Sequence, residues 1–203
     1  MYVTCKRMTN IPQKESDYIK RINSNFVGQK IKEVYYEELI YESDCEYWNY
    51  SNNIHSVDMN VIFKFDNDKL LQIKWDNEFY CYGIGFEEIF KIESKEGIKT
   101  INVSENDNWK PLIGETISSI EIYWDESESQ EFQNKFGFMI PKGMKQKVKL
   151  PLSWKLKFIN NFIFISAFEI KDNEYNYYWA DHLTIFFNEE ELIKFKLNQY
   201  ASR

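Results

Sequence analysis

Short runs of alternating apolar and polar residues recur along this chain, separated by turns rich in Asn, Asp and Gly, and that period of two predicts strands. Phe26-Val27-Gly28-Gln29-Lys30-Ile31 leads into Val34 and Tyr36. Leu112-Ile113-Gly114-Glu115-Thr116-Ile117 leads into Ile120 and Ile122 in the same way. A glycine at the entry to each strand suits a positive φ. Asn60 to Phe65 and Lys69 to Trp75 flank the turn Asp66-Asn67-Asp68; Ser153 to Phe158 and Phe162 to Phe168 flank Asn160-Asn161. Each pair predicts a β-hairpin. Acidic-apolar tails follow, at Glu87 to Lys91 and Glu190 to Lys194.

The repeated order predicts an internal duplication. A first β-rich half spans 1–95, a junction 96–110 and a second half 111–203, packed as one compact unit. The class expected is α+β and predominantly antiparallel, built from two related β-meanders with few short helices. Tyr18, Ile19 and Ile22 predict a helix around Ser16 to Ile22. Asn188 with Glu191 three residues on has capping-box spacing and predicts a C-terminal helix. Asp125 to Gln133 reads as a charged loop or hairpin tip.

Composition reinforces the strand reading. Aromatics make up 18% of the 203 residues, and aromatic side chains suit a pleated, half-buried surface. The net charge is −7, which argues against a nucleic-acid partner, since phosphate binding calls for a basic face. Met1 to Arg7 lacks the apolar run of a signal peptide, and the longest apolar stretch, Phe162 to Phe168, is too short to span a bilayer. Cys5, Cys45 and Cys81 are odd in number and widely spaced, against a disulfide framework or a zinc site. A cytoplasmic protein without membrane association is expected.

The residues offer no catalytic constellation. Only two histidines are present. His55 is expected in a solvated loop, and His182 just before a strand in a structural role. No nucleophile elbow, dinucleotide fingerprint or phosphate-binding lysine motif accompanies them; Gly83-Ile84-Gly85 lacks the third glycine. Asp125-Glu126-Ser127-Glu128 lacks the ligand order of a calcium loop. Trp75, Trp154 and Phe168, on alternating strands, are expected in the core. No catalytic residue, metal or cofactor is assigned. Lys145, Lys147 and Lys149 lie at period two, the pattern of a strand edge guarded against aggregation.

The function expected is therefore binding: an acidic β-rich module that occupies a protein partner, such as an immunity-type inhibitor of a co-encoded basic toxin, for which opposite charge would speed association. Its contact candidates are Asp125, Glu126, Glu128 and Glu131 with Tyr175, Tyr177, Tyr178 and Trp179. One alternative is a small-ligand site or enzyme at the seam between the halves, centred on Asp181 and His182. Another is a structural homo-oligomer. Trp109, Leu112, Ile113 and Gly114, with the late run Ala180 to Ile185, form a pattern that resembles small bacterial proteins of unknown function and implies no mechanism.

Overall fold

The computed structural model describes residues 11–40, 48–79, 83–171, 176–178, 181–195 and 197. Helix α1 (Ile11–Phe26) precedes strands β1 (Ile31–Leu39), β2 (Ile54–Val57), β3 (Asn60–Phe65), β4 (Leu70–Asp76), β5 (Gly83–Ile89) and β6 (Ile98–Asn102). A 3₁₀ turn (Lys110–Leu112) leads to β7 (Ser119–Lys135), β8 (Phe138–Lys157), β9 (Phe162–Ser166), β10 (Glu169–Lys171), β11 (Asn176–Tyr178), β12 (Leu183–Phe186) and helix α2 (Glu189–Lys194). The protein is mostly antiparallel sheet, with order β5-β4-β3-β1-β6 in one five-stranded sheet and β2-β12-β9-β8-β7 in the other; β10 and β11 form a separate hairpin.

Sequence pattern accounts for α1. Tyr18, Ile22 and Phe26 recur every four residues, so they line one helical face, and all three are buried. The helix outruns the predicted Ser16–Ile22 because this stripe continues to Phe26, after which Gly28 takes φ +84° and ends it. α2 is capped as its spacing predicts, with Glu191 N donating to Asn188 Oδ1 at 2.9 Å.

One core holds α1 and both sheets together. Val34, Tyr36, Phe63 and Ile73 of the first sheet, Trp154, Ile163 and Leu183 of the second, and the α1 stripe belong to a single buried cluster. Alternation on β9 and β12 gives the second sheet another buried face, where Phe164 and Phe186 pack with Leu192 and Phe195. Trp154 and Phe168 are fully buried, as expected, whereas Trp75 is half-buried.

Two glycine turns meet where the sheets begin. Gly28 and Gly114 have φ +84° and +85°. Gly28 N donates to Ile117 O at 2.8 Å and Gly114 N to Ile31 O at 2.7 Å, while Ile31 N donates to Glu115 O and Ile117 N to Gln29 O. The pairing is reciprocal, so each segment does to the other what is done to it.

Gly85 is needed for a different reason. A Cβ there would lie 1.6 Å from Asp76 Oδ2, and β4–β5 pairing fixes the two backbones. Gly85→Ala should therefore cost about 2 kcal/mol by displacing a half-buried carboxylate. Chemical denaturation checks this, and Asp76→Ala in the same chain should recover most of the loss.

Several expectations change. Asp125 to Gln133 lies within β7, not in a loop, because its residues pair with β8. The segment 96–110, expected as a junction, contains edge strand β6. The tail at Glu87 belongs to β5 while that at Glu190 forms α2. His55 is fully buried, because β2 leaves its neighbours in sequence and pairs with β12. Tyr36 OH lies 2.7 Å from His55 Nδ1, and Asn108 Nδ2 lies 3.2 Å from Nε2. Burial pushes the His55 pKa down to about 4. Cys5, Cys45 and Cys81 lie outside the described residues, as do Met1 to Arg7. Among the described residues, no helix is long and apolar enough to cross a membrane.

Candidate functional site

Strands β7 and β8, of 17 and 20 residues, run well past their neighbours. β9 pairs with β8 only over Ser153 to Lys157, so the pair continues beyond as a two-stranded arm. From Glu126 to Lys135 it is about 30 Å long at strand rise. Its base is fixed to α1: Lys149 pairs with Glu15 at 3.0 Å and lies over the Trp124 ring.

Charge in the arm is balanced across the ladder. Glu126 stands opposite Lys149, Glu128 opposite Lys147 and Glu131 opposite Lys142, an arrangement that favours the pairing. Lys145 makes an ion pair with Glu128 at 3.0 Å. Asp125 is only 8% exposed and sits opposite Leu150 at the base. Lys147 and Lys149 share a face, and this part of β8 pairs with β7 alone among the described strands.

The tip has a different character. Phe136, Phe138, Met139, Ile140 and Met144 are all exposed, Phe136 at 99%. A two-residue turn joins Lys135 to its partner Phe138, with φ +52° at Phe136 and +83° at Gly137. Those are the values of a type I′ turn, which strongly prefers Asn or Asp before Gly. A phenylalanine there costs about 1 kcal/mol of backbone strain and leaves a large ring in water. Neither cost stabilises the isolated chain. Exposed apolar clusters of this kind mark interaction surfaces.

Tyr175 and Trp179 fall outside the described residues, and the backbone of Tyr177 and Tyr178 lies in β11. Asp181 and His182 sit where the two sheets meet. The chain crosses from the second sheet to the first between β2 and β3, at buried Asp58. His182 Nε2 lies 3.1 Å from Asp58 Oδ1, with Glu169 Oε2 and Asp181 Oδ1 4.0 and 3.8 Å from Nδ1. Glu38, at the end of β1, accepts from Asp58 N at 3.2 Å. Burial, with Asp58 close by, pushes the Glu38 carboxyl up to about 8. Burial opposes a charged His182, but the bond to Asp58 and the surrounding carboxylates prevail and raise its pKa. Among the described residues, no group of three or more His, Cys, Asp or Glu is placed to hold a metal ion.

A pocket of about 350 Å³ opens beside β4 and β5, with Glu37 in its wall. Its carboxylates are matched: Glu37 by Lys95, Glu87 by Lys74, Glu88 by Lys69 and Glu93 by Lys91. Buried Glu37 also accepts from Gln72 and Asn60, which explains how a carboxylate is tolerated there.

The tip is a functional candidate that sequence reasoning missed. Asn134-Lys135-Phe136-Gly137-Phe138 does carry a readable signal, an aromatic in the slot before a turn glycine. No protein-family model matches the chain, and no curated protein or solved structure matches it either.

Proposed function

We propose that the chain is a non-catalytic binding protein that engages a protein partner through the tip of the β7–β8 arm. The observation that carries this reading is Phe136, a fully exposed aromatic held at positive φ. Aromatic side chains entering a partner's pocket are typical binding hot spots.

The arm also alters which charge meets the partner. Residues 126–149 hold five lysines and three glutamates, a net +2, so against an overall −7 the rest of the chain carries −9. A net-basic arm on an acidic body suits a partner with an apolar cleft rimmed by carboxylates. An inhibitor of a basic toxin, the role expected from net charge, would use the body instead. In either case we place the protein in the cytoplasm.

The test is affinity retention from native lysate by wild type, Phe136→Asn, and the double variant Phe136→Ser with Phe138→Ser. Asn fits the turn better than Phe, so Phe136→Asn should keep or raise Tm. Both variants should lose the retained partner at least tenfold. Full retention by both, with wild-type Tm, would overturn the reading.

We also propose the internal duplication. Strand order β5-β4-β3-β1 in one sheet parallels β12-β9-β8-β7 in the other, and the reciprocal bonds at Gly28 and Gly114 are those expected between two copies about a local two-fold axis.

A further inference from the structure

We propose that the cavity beside β4 and β5 binds a small linear primary amine, whose ammonium group takes the place of Lys95 on the buried Glu37 carboxylate. None of the residues involved belongs to β7 or β8, so the site does not depend on the arm as a contact surface.

The sheet builds the floor of the cavity and one connection builds its roof. Tyr36, Val61, Leu71 and Ile73 face the shared core, so by alternation Glu37, Asn60 and Gln72 lie on the opposite face. Register sets Glu37 beside Asn60 and Gln72 beside Glu87. β5 and β6 are the two edges of this sheet, so the residues between them, 90–97, must cross it. They cross on the Glu37 side, because Phe90, Lys91, Glu93 and Lys95 line the cavity together with Glu37 and Gln72. The enclosed volume, about 350 Å³, is at the small end of the range for ligand pockets.

Glu37 is a buried charge whose counterion is not buried. Its side chain is 1% exposed, whereas that of Lys95 is 41% exposed. Oε2 accepts from Asn60 Nδ2 and Gln72 Nε2, two neutral donors held by the strands. Lys95 Nζ donates to Oε1 at 2.9 Å and to Oε2 at 3.1 Å, and among the described residues it is the only donor to Oε1. A carboxylate so placed needs a cation. Lys95 has no other side-chain partner among the described residues, so its departure breaks no further bond and returns a long side chain to water. A free amine restores the same bonds and lays its alkyl stem in the cavity, whose wall includes Ile89 and Phe90. The ion pairs of Glu87, Glu88 and Glu93 are more exposed and screened by water. Only at Glu37 does an incoming ammonium meet a carboxylate shielded from solvent.

Titration of the whole chain with n-butylamine at pH 7 and constant ionic strength, followed by heteronuclear NMR, tests the site. The side-chain amide signals of Gln72 and Asn60 should shift saturably. Tetramethylammonium, which cannot donate a hydrogen bond, should leave them unmoved. Lys95→Ala should bind butylamine about tenfold tighter, because no internal ammonium competes, and should regain with it much of the Tm lost by the substitution. Glu37→Gln should abolish binding. No saturable shift in either wild type or Lys95→Ala, an equal response to tetramethylammonium, or undiminished binding by Glu37→Gln would overturn the proposal. So would tighter binding of Nα-acetyl-lysine methylamide than of butylamine, which would assign the site to a partner's lysine instead of a free amine.

Discussion

Trp154→Ala should lower the unfolding free energy by about 4 kcal/mol, well within the range for truncating a large buried aromatic. Trp154 is fully buried and lies where three elements meet. Its ring packs edge-on against Tyr18 and Phe26 of α1 and against Phe86 of β5. Its Nε1 donates to Tyr18 OH at 2.9 Å, and that hydroxyl donates in turn to Ile84 O. Removing the indole leaves a cavity between sheet and helix and takes a donor from a buried hydroxyl. Both costs persist because the sheets cannot close on the space. Trp154→Phe keeps most of the volume and should cost about half as much. Urea denaturation measures both, and a loss below about 1 kcal/mol for the alanine variant would contradict a shared core.

The second large effect is pH-dependent. Stability should fall by about 2 kcal/mol between pH 6.5 and 8.5, most of it through Glu38. Its folded pKa, about 8, lies above that of an unfolded glutamate. Such a group contributes stability that is present in full below the unfolded value and is lost as pH rises through the folded one. His182 is also raised and acts in the same direction above pH 6.5. His55 acts oppositely: its folded pKa of about 4 lies below the unfolded value, so its contribution is lost as pH falls from 6.5 towards 4. Below pH 6.5 the Glu38 gain and the His55 loss offset each other, giving a plateau. Glu38→Gln should flatten the decline above pH 6.5 and expose the acid loss. Melting curves from pH 4.5 to 8.5 on both proteins check the sign, and a wild type more stable at pH 8.5 than at 6.5 would refute it.

Local features are legible in the sequence. The turns at Asp66–Asp68 and Asn160–Asn161 lie between runs that must alternate, so both hairpins can be read. The Asn188 cap can be read from four residues. Non-local pairings cannot. β2 joins β12 across more than half the chain, and nothing near His55 announces that partner, so a buried histidine reads as a solvated one. Asp58 stays hidden for the same reason, because His182 reaches it only through that pairing. The acidic run Asp125 to Glu131 reads as a loop because its compensating lysines lie on the following strand. Lys147 and Lys149 show as one face of a strand, but without the register they have no partners. The tip escapes a reading built on charge, although its Phe-Gly turn is present in the sequence.

The most direct test of the arm as the contact surface is photo-crosslinking from position 138, with benzoylphenylalanine in place of Phe138, in native lysate. The same group at Ile159, an exposed residue in the β8–β9 turn, serves as the control. The predicted result is one discrete adduct from position 138 and none from 159. Adducts from 159 with none from 138 would place the partner elsewhere and contradict the assignment of the arm.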